Sequence, residues 1–339
     1  MPLQTTSGVS FDESSQHDRI RVVLAGRNPL FLELLKSTLR RDAIEISGIL
    51  FDSDTDPGIR RWIDEARLPS AQLRILRDEP RASIQLLEWR PSYLINFNTT
   101  FIYPGHLLRI PVHGALNLHP GMLPEYAGLH THQWAIRNGE DVFGSTLHWM
   151  EDTLDAGDMV FQERFPLTAS DTGLTVYLKC LRACLRLWER AMDVLEAGNH
   201  LPRTPQDLSR RRLYKDKEAR DGSVNWHSSA MGIVRFFRAS DYGPLPSPTY
   251  EPLSRCNGYL YVLQGARVGG RSDARPGTIV YAEDDGIEVV CGGGETIYCK
   301  IRRTDGPALR TGDRFTTRSR LRSRRNRQIR HLSRRIAGE

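Results

Sequence analysis

An α/β architecture, a Rossmann-like doubly wound parallel sheet followed by a small OB-like β-barrel, is predicted by three observations. Apolar strand runs alternate with amphipathic helices between Ile20 and Gly198. The composition turns to Pro, Arg, Lys and Asp between His200 and Gly222. Beyond that point, short β-rich runs are separated by glycine turns. The 339 residues suffice for two domains, because single cores stop growing at about 250–300 residues.

The elements follow in order. Residues 20–25 read as a buried strand, and the turn Gly26-Arg27-Asn28-Pro29 leads into an amphipathic helix with Leu30, Leu32, Leu34, Leu35 and Leu39. Residues 44–51 predict a second strand, 59–66 and 82–89 helices, and 93–97 another strand. The Gly26 turn has neither the GxGxxG spacing of a dinucleotide site nor the GxxxxGK[ST] of a P-loop, which argues against nicotinamide and ATP chemistry. Strands follow at 115–118, 144–150 and 159–165. A long helix then starts from a cap at Ser170 or Asp171, carries Leu174, Leu178, Leu181, Leu185 and Leu195, and stops at Gly198. Cys180 and Cys184 lie one turn apart on it, among leucines, as core residues do. The last region predicts strands at 259–263, 277–281, 287–290 and 296–301, with turns at Asp284-Asp285-Gly286 and Gly292-Gly293-Gly294. The expected organisation is a disordered segment 1–19, a catalytic domain 20–199, a linker 200–222, a β-barrel domain 223–315 and an Arg-rich tail 316–339.

Composition narrows the function. Apolar residues at 39% and charged residues at 26% fit a soluble globular protein, and no run approaches the ~18–20 apolar residues of a membrane span. The polar N-terminus lacks the apolar core of a secretion signal. Five scattered cysteines with no CxxC pair indicate neither a disulfide framework nor a zinc ribbon, so a reducing, cytoplasmic setting is expected. The net charge of +6 is local: residues 318–339 hold nine arginines against Glu339, a charge of +8 that leaves −2 for the rest. A near-neutral body lacks the basic surface that many phosphate contacts require.

The densest polar cluster is Asn117-Leu118-His119-Pro120. On a strand, Asn117 and His119 point to one side, at the end where open α/β sheets bind ligands. A Gly/Pro-rich loop, 121–128, follows. A later strand carries His148 into the acidic turn 151–158, which offers a carboxylate. Amide, imidazole and carboxylate together can stabilise an oxyanion and move protons in acyl transfer. Metal chemistry is the competitor, through His119, His130, His132 and Asp155, but no HExxH-like spacing supports it and no metal is expected.

Residues 117–124 (NLHPGMLP), 128–132 (GLHTH) and 144–148 (GSTLH), with the turn Leu154-Asp155-Ala156-Gly157 whose aspartate lies 36 residues after His119, resemble the signature of the folate-dependent formyltransferases. Tyr214, Val224-Asn225-Trp226 and residues 275–279 and 286–292 resemble the linker and C-terminal barrel of the two-domain members, which include methionyl-tRNA, sugar and siderophore N-formyltransferases. The resemblance implies transfer of a formyl group from N10-formyltetrahydrofolate to an amine through a tetrahedral intermediate. It implies that Asn117 and His119 stabilise the oxyanion and that Asp155 orients His119 or a water and helps remove the amine proton. By position in the family pattern, the pterin is expected on Thr99, Thr100, Phe101 and Ile102, with Glu151, Asp152 and Leu154 closing the other side. The expected acceptor is a small biosynthetic amine, such as an amino sugar or a hydroxyornithine-like amino acid. Methionyl-tRNA is the first alternative. A non-catalytic relative binding RNA or a carrier protein is the second. The loop 124–130 carries Glu125 and no Arg, unlike the basic loop of tRNA-acting members, and the cations and rings of 235–246 offer a place for an anionic or ring-bearing acceptor. The Arg-rich tail lies outside the resemblance and is expected to be dispensable.

Overall fold

The computed structural model describes residues 19–316 apart from 29, 52–54, 73–78, 100 and 284–285. The expected disordered N-terminus up to residue 18, the tail from residue 317, Thr100 and the Asp284-Asp285 turn therefore lie outside the described residues.

The first half alternates as the sequence predicts: β1 (Ile20–Gly26), α1 (Phe31–Leu39), β2 (Ile44–Phe51), α2 (Pro57–Glu65), β3 (Ser70–Gln72), α3 (Glu79–Trp89), β4 (Tyr93–Phe97), α4 (Gly105–Leu108) and β5 (Gly114–His119). Then come β6 (Ala127–Gly128), α5 (Thr131–Asn138), β7 (Val142–Trp149), β8 (Met159–Pro166) and α6 (Gly173–Glu196). The large sheet has the order β3-β2-β1-β4-β5-β7-β8, and the pairs β1/β2, β2/β3, β1/β4 and β4/β5 are parallel. Strands covered on both faces read as continuous apolar runs. Val22, Val23, Leu24 and Ala25 are fully buried, as is every residue of β4 to within a few per cent. The chain order reverses at β1, which pairs β2 on one side and β4 on the other, a topological switch point of the kind that holds ligands at strand carboxyl ends. Asn28, buried just past β1, ties the turn after β1 to the end of β4: its Nδ2 donates to Phe97 O (3.1 Å) and its Oδ1 accepts from Leu30 N (2.9 Å).

The chain divides into two compact units. One comprises Met1–His119, Leu147–Phe161 and Cys184–Pro205; the other comprises Pro120–Thr146, Gln162–Ala183 and Gln206–Glu339. In the first, Trp188 Nε1 donates to Thr38 Oγ1 (2.9 Å) and anchors α1. In the second, Asp171 is buried and takes bonds from Thr168 and Thr175 and an ion pair from Lys179 (2.8 Å). Asp171 thus braces the start of α6, and the helix itself begins two residues later, at Gly173. Gly198, at φ +73°, turns the chain out of its far end, as the sequence indicates.

The second unit continues with β9 (Leu213–Tyr214), α7 (Asp216–Ala219), α8 (Ala230–Ala239), β10 (Leu253–Cys256), β11 (Tyr259–Arg271), β12 (Ile279–Glu283), β13 (Gly286–Val290) and β14 (Glu295–Thr304). The last five strands form an antiparallel sheet in the order β10-β11-β14-β13-β12. Residues 314–316 close it. Thr316 bridges to Arg255 of β10, and Arg314 bridges to Thr278, the residue before β12, so the two edges share one connecting segment. Between those bridges Phe315 is buried, stacked on Trp226 (5.3 Å) and edge-on to Tyr261 (5.8 Å). β11 runs well past the predicted end at 263, because the residues beyond Leu263 are mostly exposed and give no apolar signal. α5 is absent from the sequence reading. It starts after His130, a left-handed residue with no capping side-chain bond, so no cap marks it.

Candidate active site

Asn117 and His119 stand two residues apart at the carboxyl end of β5 and share a side of the sheet. Asp155 comes from the turn between β7 and β8. That turn folds back tightly: Trp149 N donates to Asp158 O (2.9 Å), and any side chain at Gly157 would collide with the Trp149 carbonyl. Asp155 itself sits at φ +52°, a conformation that Asp tolerates better than most residues, and is buried. The folded-back turn brings its carboxylate to the β5 pair. Oδ2 lies 3.7 Å from His119 Nδ1, and Oδ1 accepts from Asn117 Nδ2 (3.4 Å).

His148, on β7, is the fourth member. Its Nδ1 lies 2.7 Å from the Trp149 carbonyl, which only accepts, so Nδ1 carries a proton, and in the neutral ring Nε2 presents a lone pair. Asn117 Nδ2 donates to that lone pair at 3.0 Å, and Asp155 Oδ1 is 3.5 Å from the same nitrogen. The His119 and His148 rings stand nearly perpendicular, 6.2 Å apart. His119, His148 and Asp155 are all nearly excluded from solvent, which strengthens their mutual electrostatics. An amide donor, an imidazole and a carboxylate thus converge as acyl-transfer chemistry requires.

Behind Asn117 lies a pair of residues that the sequence reading did not pick out. Asn96 on β4 is register-paired with Asn117, and its Nδ2 donates to Asn117 Oδ1 (2.8 Å). Asn96 Oδ1 accepts from Thr99 Oγ1 (2.6 Å) and from Tyr103 OH (3.3 Å). Burial pushes the Tyr103 phenol up, so it remains a protonated donor. The available signal was a single amide inside the apolar strand YLINF, since a buried amide needs partners.

The other expected contacts separate. Thr99 spends its hydroxyl on Asn96, and Phe101 packs edge-on against Tyr103 (5.0 Å). Ile102 is 71% exposed, and the backbone of Phe101 and Ile102 makes no hydrogen bond among the described residues, leaving donors and acceptors for the edge of a planar heterocycle. Glu151, Asp152 and Leu154 are exposed; the Asp152 carboxylate lies over Gly105, 3.9 Å from Arg109 Nη1.

In the second unit, the Gly/Pro-rich loop is pinned by hydroxyls and an amide. Thr131 Oγ1 donates to Pro120 O (2.6 Å), Thr146 Oγ1 to Gly121 O (2.8 Å) and Gln162 Nε2 to Leu123 O (3.0 Å). His130 pairs with Asp216 (3.0 Å). His132 is buried against Tyr242 OH (2.5 Å), and burial, with His130 adding to it, lowers its pKa to about 3. Among the described residues no group of three His, Cys, Asp or Glu side chains is placed to hold a metal ion. In the 235–246 segment, Phe236 stacks on Tyr250 (4.5 Å) and Arg238 donates to the carbonyls of Thr168 and Ala169. These contacts are internal packing of that unit.

Comparison with known proteins gives concordant matches along the chain. The formyl transferase family profile matches residues 76–187, and that of the formyl transferase C-terminal domain matches residues 217–318. A methionyl-tRNA formyltransferase of Marinobacter nauticus is 29% identical over 285 residues, covering 81% of this chain and 89% of the relative. Among solved structures, an N-formyltransferase from Helicobacter canadensis, in complex with folinic acid and dTDP-3-aminofucose, superposes with a TM-score of 0.64 at 15% identity, over 83% of this chain and 99% of that one. A 4-N formyltransferase from Francisella tularensis gives 0.58 at 14% identity, over 68% and 91%. At these identities the structural likeness is one of fold.

Proposed function

The chain belongs to the formyl transferase family, and we propose that it moves a formyl group from N10-formyltetrahydrofolate to the primary amine of a small biosynthetic molecule, with Asn117, His119 and Asp155 as its catalytic residues. The observation that carries the reading is the convergence of half-buried Asn117 with buried His119 and Asp155, Asp155 lying 3.7 Å from His119 and within hydrogen-bond reach of Asn117. The folinic acid held by the structurally similar Helicobacter canadensis N-formyltransferase supports the donor, as does the backbone of Phe101 and Ile102, unengaged among the described residues and a fit for a pterin edge.

The donor supplies an electrophilic formyl carbon. His119 donates a hydrogen bond to the formyl oxygen as it gains negative charge on attack by the neutral amine, and the Asn117 N–H that rests on Asp155 at 3.4 Å turns to the same oxygen, while the other stays on His148. Asp155, acceptor-only when ionised, lies beside the His119 ring and draws the proton from the amine nitrogen as the new C–N bond forms; the tetrahedral intermediate then collapses, the bond from the formyl carbon to N10 breaks, and N10 leaves as the secondary amine of tetrahydrofolate, taking up the proton that the attacking amine lost. His148, its Nδ1 anchored on the Trp149 carbonyl, holds the Asn117 amide through Nε2 and keeps it from rotating.

The choice of acceptor rests on charge. The body of the chain carries −2, and residues 121–130 contain no Lys or Arg. Glu125, the acid in that loop, pairs with Arg210, so its charge is compensated rather than presented. Methionyl-tRNA is the second reading, favoured by the names of the sequence relatives. The distinguishing experiment supplies formyl donor with a panel of amino sugars and amino acids in one arm and charged initiator tRNA in the other, read by mass spectrometry. Formylated small amine supports the first reading; formyl-methionyl-tRNA alone overturns it.

A further inference from the structure

We propose that Asn96, with Thr99 and Tyr103, is a positioning relay that sets which way the side-chain amide of Asn117 faces. The inference names new residues for the reaction proposed above and rests on that reading for its kinetic consequence, but not for its geometry.

The relay runs in one direction. Two hydroxyl groups, Thr99 and Tyr103, donate to Asn96 Oδ1, which leaves Asn96 only its NH2 to turn toward β5. Asn96 Nδ2 donates to Asn117 Oδ1 at 2.8 Å, and Asn117 then has only its own NH2 for Asp155 and His148. The chain ends where His148 Nδ1 donates to the Trp149 carbonyl. A flipped Asn117 would set its oxygen against the Asp155 carboxylate and the His148 lone pair, and its NH2 against that of Asn96. Both contacts are repulsive in a site shielded from water. A hydrogen-bonded chain whose donors all point one way also strengthens each link.

Local backbone geometry builds the relay from adjacent sequence. Asn98 takes a left-handed conformation (φ +60°), which turns the chain so that Thr99 returns to Asn96 just after β4 has ended. Tyr103, buried and kept protonated by burial, closes the same turn from its other end.

Two measurements test the relay. The first needs no substrate: in the ligand-free protein, the side-chain NH2 resonances of Asn117 are expected to be slow to exchange with solvent and split widely. In Thr99→Val/Tyr103→Phe they should exchange faster and collapse together while the backbone spectrum stays folded. Unchanged Asn117 resonances in that double variant overturn the proposal whatever the protein's activity. The second is kinetic. Each hydroxyl deletion alone leaves one donor on Asn96 and should lower kcat less than the double variant does. Asn96→Asp, which keeps the shape but cannot donate when ionised, should lower kcat about tenfold, the rate equivalent of one net hydrogen bond, with the KM for the formyl donor within twofold. A rise in donor KM at constant kcat would instead make these residues ligand contacts, and would overturn the relay. If no amine is formylated at all, the functional reading fails while the resonance arm still decides the geometry.

Discussion

Removing a hydrogen-bond donor from the site should be costly, because His119 and Asp155 are shut away from water that could replace it. Asn117→Ala and His119→Ala are each expected to lower kcat about 10²–10³-fold, with the double variant far from multiplicative because the groups act together. Asp155→Asn should do the same, since it leaves His119 uncompensated. Steady-state kinetics with the formylated acceptor quantified by mass spectrometry checks all three. A loss under threefold in any of them contradicts its assignment. Asn117 and His119 were legible from period-two placement on one strand, and Asp155 from its family turn. Asn96 was not, because its meaning depends on a partner 21 positions away across a strand pairing that no local pattern announces.

At the scale of elements, two packing arrangements give measurable stability. His132 on α5 is neutral in the folded state, held at about 3 by burial, whereas an unfolded chain returns it to 6.5. The unfolded state therefore binds the proton first as pH falls, so stability present above about pH 6.5 is lost on acidification, amounting to about 2 kcal/mol by pH 5 from this residue alone. Urea melts of wild type and His132→Asn between pH 5 and 7.5 should show the shallower pH slope in the variant; equal slopes would contradict a neutral buried ring. Phe315→Ala should cost about 3–5 kcal/mol, because it empties the space between Trp226 and Tyr261 in the segment that ties both sheet edges, and thermal unfolding reads it directly. The strand and helix alternation from Ile20 to Phe97 was readable because two-sided burial makes whole strands apolar. α5, β3 and the far half of β11 were not, for want of a cap, of length, or of an apolar face.

For the molecule as a whole, charge is concentrated at the C-terminus, where residues 318–339 hold +8 against a body of −2. If the acceptor is a free small amine, ending the chain after Thr317 should leave its formylation unchanged at any ionic strength. A salt-dependent loss confined to a macromolecular acceptor would mark the tail as a docking arm. Among the described residues no helix is long and apolar enough to cross a membrane. The direct test of the central claim is a side-by-side incubation of wild type and His119→Ala with N10-formyltetrahydrofolate and the amine panel, following transfer of the formyl group to the acceptor by mass spectrometry. The account predicts a formylated small amine from the wild type and at least a hundredfold slower product formation from the variant. Equal rates from the two proteins, or formyl transfer to methionyl-tRNA alone, would contradict it.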